Sequence, residues 1–269
     1  MKSRALLTLL CGLFVASLFA PAVHADQIKV LALTKSSGFE HSVIRRDKGE
    51  LGHAEKILVE MGKENGMLVV PTKDGGLIHP AVLDQFDVVF FYTTGELDKP
   101  GKKDFSAPMS TEQRASLIEW VKNGGGFVGS HTCADTFHRW VDESGKKPYI
   151  EMVGGEFATH GKQEKGYLTV LDHPITSHLN QNEQWAFPDE WYIFKNVNNT
   201  FKPLLILETK KMEQEKYTQL EPYPVAGVKD FGKGKVFTCA LGHREDVWTN
   251  PDFKKLMVKG IQWAAGELK

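Results

Sequence analysis

One stretch constrains this chain more than any other. A helix pattern ends in Gly124-Gly125-Gly126, the apolar pair Phe127-Val128 follows, and Gly129-Ser130 then presents His131. An α/β protein delivers a polar side chain to the carboxyl edge of its sheet in this way, and such folds bind their ligands at that edge. The pattern recurs near the end, where Lys235 to Leu241 is mostly apolar and runs into Gly242-His243. Two histidines leaving two predicted strands alike imply a single site.

The flanking segments support that architecture. Ile28 to Leu33 reads as a strand, and Ala54, Ile57, Leu58 and Met61 fall at helical spacing before Gly66. Met67–Val70 and Asp87–Tyr92 read as further strands, the latter apolar from Val88 on, as befits a sheet covered on both faces. Ser110 and Gln113 form a capping box before a helix whose Leu117, Ile118 and Val121 face the core. The alternation predicts an α/β fold, a doubly wound, mostly parallel sheet flanked by helices, in a single domain over residues 26–269. Between Tyr149 and Glu221 the pattern is less regular, with strand candidates at Tyr167–Leu171 and Leu204–Leu207. Val225–Val228 and Val236–Ala240 read as a hairpin turning through Gly232-Lys233-Gly234. Asn250 and Pro251 open a last helix.

Lys2 and Arg4, the apolar run Ala5 to Ala20, and Val23-His24-Ala25 match a secretory signal peptide over residues 1–25. The expectation is a periplasmic or secreted protein with no membrane association after cleavage. Without Lys2 and Arg4 the balance moves from 33 basic and 34 acidic residues to 31 and 34, a net charge of −3. A near-neutral chain without a basic stripe argues against nucleic acid as a partner. Cys133 and Cys239 are expected as free buried thiols, since two distant cysteines do not define a disulfide.

Five loops carry polar residues after apolar runs, among them Gly38-Phe39-Glu40-His41, Gly155 to His160, and Pro188-Asp189-Glu190-Trp191-Tyr192. Three histidines and a carboxylate suit a divalent metal such as zinc. The same groups without metal suit general acid–base catalysis. Spacing leaves both open, because the residues come from separate loops and no HExxH-type motif occurs. Asp189-Glu190 can equally cap a helix or turn, while two acids beside Trp191-Tyr192 also suit a sugar. His53, His79, His138, His173 and His178 read as surface or turn residues. Gly129-Ser130-His131-Thr132-Cys133 sits where a nucleophile elbow would be, with Ser130 or His131 at its tip and Cys133 too far along, in a following helix, to act.

Taken together, Gly38-Phe39-x-His41, Gly124 to His131, Gly154-Gly155-x-Phe157-x-x-His160, His173-Pro174, Asp189-Glu190-x-Tyr192 and Gly232-Lys233-Gly234-x-Val236-Phe237 leading to Gly242-His243 resemble the ThuA-like family, named for trehalose utilisation. The resemblance runs from about Ile28 to Leu268 and implies a fold similar to class I glutamine amidotransferases, without the cysteine needed for glutamine hydrolysis. It implies a small-molecule carbohydrate as partner, and a link to sugars processed through 3-keto intermediates. On that reading Asp189 or Glu190 is the base, His131 a proton donor or metal ligand, and His243 the partner acid. His41, His160 and Tyr192 shape the sugar pocket. A non-catalytic sugar-binding protein and a metal-dependent hydrolase of another small polar substrate are the competing expectations.

Overall fold

Alternate residues of the first and third strands belong to different cores, which shows why residues 30–33 and 88–91 are apolar throughout. Val30, Ala32, Val88 and Phe90 pack into one buried cluster, while Leu31, Leu33, Val89 and Phe91 pack into another. A strand whose faces both meet a core has no polar positions to spare. The computed structural model describes residues 27–103, 105–180 and 182–268; the expected signal peptide lies outside the described residues.

In chain order the elements are β1 (Ile28–Leu33), α1 (His53–Glu64), β2 (Met67–Thr72), α2 (Pro80–Leu83), β3 (Val88–Phe91), α3 (Thr111–Lys122) and β4 (Gly126–Ser130). There follow α4 (Pro148–Val153), β5 (Glu156–His160), β6 (Glu164–Val170), β7 (Trp185–Asp189), β8 (Tyr192–Lys195) and β9 (Lys202–Leu207). The last are α5 (Glu215–Thr218), β10 (Tyr223–Phe231), β11 (Gly234–Cys239), α6 (Glu245–Thr249) and α7 (Pro251–Ala264). Nine strands form one sheet in the order β2-β1-β3-β4-β11-β10-β9-β6-β7, and β5 pairs with β8 in a second, two-stranded sheet.

The first five strands of the large sheet are mutually parallel. Their order is that of doubly wound flavodoxin-like sheets. Residues of α1 and α7 join the first core, and residues of α3 and α4 join the second, so helices cover both faces. The helix signals act as expected. Ser110 Oγ accepts from the Gln113 N–H at 3.2 Å, Gln113 Oε1 accepts from the Ser110 N–H at 2.7 Å, and Asn250 caps α7 through its Oδ1.

The irregular middle of the chain becomes an antiparallel extension. β10 and β11 form the expected hairpin, and β9, β6 and β7 continue the sheet from it. Because β11 is antiparallel to β10 yet parallel to β4, with Cys239 opposite Ser130, the residues after β4 and β11 emerge at the same edge. That register brings His131 and His243 together. One local expectation is corrected. Cys133 lies in a 3₁₀ turn over His131–Asp135, because the chain turns sharply at His131 (φ 42°) rather than continuing into an α-helix. Asp189-Glu190 stands at a turn between strands and not at a helix start, as Asp189 ends β7 and Tyr192 begins β8.

Candidate active site

The site is built on the turns that follow β1, β4 and β11, with one carboxylate supplied by the antiparallel extension. His131 is fully buried in the left-handed region, a conformation that non-glycine residues rarely hold and that clusters at functional sites. It occupies the strained position that a nucleophile takes in an elbow. Ser130, by contrast, is buried and donates to the Leu241 carbonyl at 3.1 Å. No hydroxyl or thiol is therefore presented there.

His131 Nδ1 lies 2.8 Å from the Ala240 carbonyl oxygen. A carbonyl only accepts, so Nδ1 carries the hydrogen and Nε2 turns a lone pair toward the site. From Nε2 it is 3.2 Å to His243 Nδ1 and 3.6 Å to Glu190 Oε2. Glu190 Oε2 is in turn 3.2 Å from His243 Nδ1, and its Oε1 is 3.2 Å from His160 Nδ1. The His41 ring stands edge-on to both other imidazoles, with centroids 5.0 Å from His131 and 4.9 Å from His243. Nδ1 of His41 is buried without a hydrogen-bond partner. One ligand atom from each of His41, His131, Glu190 and His243 falls within 4.8 Å of the others.

Electrostatics separates these groups. Burial, together with the His131 and His243 imidazoles, depresses His41 to about 2, so it remains neutral. Burial pushes the Glu190 carboxyl up, but the neighbouring His131 and His243 imidazoles outweigh it and hold the group well below the usual range. Asp189 differs from its neighbour. It is fully buried, and its oxygens accept from the Gly242 N–H at 2.8 Å and the His243 N–H at 3.2 Å. The Gly242 carbonyl accepts from Tyr92 Oη at 3.1 Å and Trp248 Nε1 at 2.8 Å. With φ of 112°, position 242 needs glycine, and this fully bonded peptide fixes where His243 points.

A cleft of about 200 Å³ opens over this cluster, lined by Phe39, His41, Asp135, Phe157, His160, Glu190, Tyr192 and His243. His41, His160 and Tyr192 thus line the cleft, and Tyr192 lies against His131 with ring centroids 4.5 Å apart. Asp189 does not line it. Reading the sequence overlooks Asp135, a second carboxylate in the cleft, and gives His138 no part. His138 Nε2 lies 2.6 Å from Asp135 Oδ1 and Nδ1 lies 2.8 Å from Glu156 Oε1, so this imidazole bridges two carboxylates. The available signal was spacing: Asp135 follows His131 by four residues and precedes His138 by three. Cys133 and Cys239 are free and buried. They line a separate, mostly apolar cavity of about 30 Å³ that His131 also borders.

A doubly wound α/β sheet with imidazoles and carboxylates gathered at the carboxyl edge of its parallel strands defines a class in which fold positions the ligand and loops supply the chemistry. Within that class the chain belongs to the ThuA family, described as trehalose utilisation, which it matches over residues 29–264. No curated protein sequence matches the chain. Among solved structures it is similar to a ThuA-like protein from Bacteroides uniformis, with 18% identity, a TM-score of 0.65, and coverage of 93% of this chain and 97% of that one. A ThuA-like protein from Parabacteroides merdae matches with 18% identity, a TM-score of 0.67, and coverage of 91% and 92%. A β-galactosidase from Bacillus circulans matches with 12% identity and a TM-score of 0.51, over 90% of this chain and 31% of its own. These likenesses establish the fold.

Proposed function

We propose that this protein is an exported carbohydrate-active enzyme that cleaves glycosides or disaccharides, 3-keto-glycosides above all, by acid–base hydrolysis or elimination. The family's description as trehalose utilisation supports the carbohydrate class. Lys2, Arg4 and the apolar run that follows them support export. One observation carries the chemistry: the cleft sets an ionised carboxylate among imidazoles, beside aromatic rings. Phe39 stands at this cleft with 65% of its surface exposed, available to stack on a sugar face.

A ketone at C3 acidifies the C2 proton. A carboxylate of the cleft, Glu190 or Asp135, accepts that proton, and the electron pair moves into the C2–C3 enolate. The enolate then collapses to the ketone, its electrons form the C1–C2 double bond, and the C1–oxygen bond breaks. The leaving oxygen takes a proton from an imidazole, for which His243 and His160 are placed. Water added across the new double bond completes a net hydrolysis. Asp189, with its oxygens occupied by backbone N–H groups, positions His243 and accepts no substrate proton.

The test is to incubate the protein with 3-keto-trehalose and with trehalose and to follow products by mass spectrometry. The expected result is cleavage of the keto sugar, lost in His131→Ala and His243→Ala. Binding without turnover of either sugar would instead make this a sugar-binding protein.

A further inference from the structure

We propose that His41, His131, Glu190 and His243 form the binding site of a single divalent transition-metal ion. The geometry is quantitative. Four ligands at about 2.1 Å around a tetrahedral ion lie about 3.4 Å from one another. The triangle of His131 Nε2, His243 Nδ1 and Glu190 Oε2 has edges of 3.2, 3.2 and 3.6 Å, which matches one face of such a tetrahedron. The remaining ligand atom, on His41, closes the set within 4.8 Å.

Three further observations point to an ion. The Ala240 carbonyl fixes the tautomer of His131 so that its lone pair faces the cluster, the outer-shell arrangement that accompanies metal-bound histidine. His41 Nδ1 is buried with no hydrogen-bond partner, an unsatisfied polar atom that a bound ion would satisfy. Asp189 anchors the two successive backbone N–H groups that aim His243, so the ligand loop is held before any ion arrives.

The donor set selects the metal. Calcium and magnesium take oxygen ligands, and soft ions such as copper(I) prefer sulfur. Three imidazole nitrogens and one carboxylate oxygen suit Zn²⁺, Fe²⁺, Co²⁺ or Mn²⁺. Glu190, His41 and His243 also line the cleft, so the ion is reached from it. There an expanded coordination shell can take one oxygen of a bound molecule. With Glu190 and His243 coordinating, Asp135, held at 2.6 Å by His138, takes the C2 proton, and His160 supplies the proton of the leaving oxygen. This last assignment rests on the carbohydrate reading; the ion does not.

The protein, purified without chelator or added metal, is analysed by inductively coupled plasma mass spectrometry. It is then stripped with dipicolinate and titrated separately with Zn²⁺, Co²⁺, Mn²⁺, Mg²⁺ and Ca²⁺. Binding is read by calorimetry, and for Co²⁺ by its visible absorption. The expected result is one transition ion per chain, no comparable binding of Mg²⁺ or Ca²⁺, and affinity reduced by more than about 100-fold in Glu190→Gln and His41→Ala, beyond what loss of an outer-shell partner costs. Circular dichroism confirms that each variant is folded, and Glu190→Gln keeps the side chain's shape should His41→Ala fail to fold. Absence of stoichiometric binding to the stripped wild-type protein would overturn the proposal, as would unchanged affinity in a folded variant. Neither readout depends on a sugar. An ion bound with no keto sugar cleaved would sink the carbohydrate reading alone, and cleavage of the keto sugar by a protein that binds no ion would sink the metal alone.

Discussion

Adjacent carboxylates at positions 189 and 190 are assigned by what their oxygens face. Those of Asp189 meet the backbone N–H groups of Gly242 and His243, and those of Glu190 meet imidazoles. Asp189→Asn replaces one acceptor oxygen with an N–H₂ group that opposes a backbone donor. We expect a stability loss of about 1–3 kcal/mol, the cost of a buried donor left unpaired, measured by urea denaturation. A folded variant of unchanged stability with no turnover would instead make Asp189 the base. The two thiols allow a separate check. Burial raises both Cys133 and Cys239, the latter to about 12, and both side chains are enclosed. A thiol reagent should label neither in the native protein and both in denaturant. Reaction of either in the native state would show that the cavity beside His131 is open.

The second small sheet depends on a charged network at Glu156. Burial pushes this carboxyl up, but hydrogen bonds from His138, Asn196, Lys147 and Lys195 prevail and draw it from 4.5 to about 2. A folded-state value below the unfolded one stabilises the protein fully above about 4.5 and loses that contribution as pH falls toward 2. His138 is raised above 6.5, chiefly by its hydrogen bond to Asp135, so its share is complete below 6.5 and fades as pH rises through the elevated value. The stability difference between wild type and Glu156→Gln should therefore be greatest between about pH 4.5 and 6.5 and shrink on the acid side. Urea midpoints across pH 3 to 8 would test this, and a flat difference would remove the network from the account. Legibility in the sequence follows from the same contrast between elements. β1, β3, β4 and β11 announce themselves because strands covered on both faces are mostly apolar, interrupted here only by Lys29, Ser130, Lys235 and Thr238, and so the turns carrying His41, His131 and His243 could be named. β7 contains Pro188 and shows no clean strand pattern, while β6, with Gly166 packed against Trp191, is legible only from Tyr167 on. Glu190 could be named as a candidate, yet its separation from Asp189 could not, because that depends on which loop β7 faces across the sheet. Asp135 and His138 stayed hidden because a 3₁₀ turn has no apolar periodicity to mark its inner side.

The parallel half supplies three imidazoles and the antiparallel extension supplies the carboxylate, so the site exists only when both halves are docked. One buried core spans them, uniting Val30, Val128 and Trp248 with Leu168, Trp191 and Leu205. Unfolding the extension alone would strip this shared core and leave the Gly242 and His243 N–H groups without Asp189, a cost that removes any advantage of partial melting. We expect one thermal transition, with far- and near-ultraviolet circular dichroism superimposing. An ion joining ligands from both halves acts on that same transition. At a free concentration 100 times its dissociation constant it adds about 2.7 kcal/mol, which for a chain of this size raises the midpoint by roughly 5–10 °C. Glu190→Gln should abolish the shift while preserving the single transition. Two transitions, with only one of them responding to the ion, would show that the halves fold separately and that the site does not couple them.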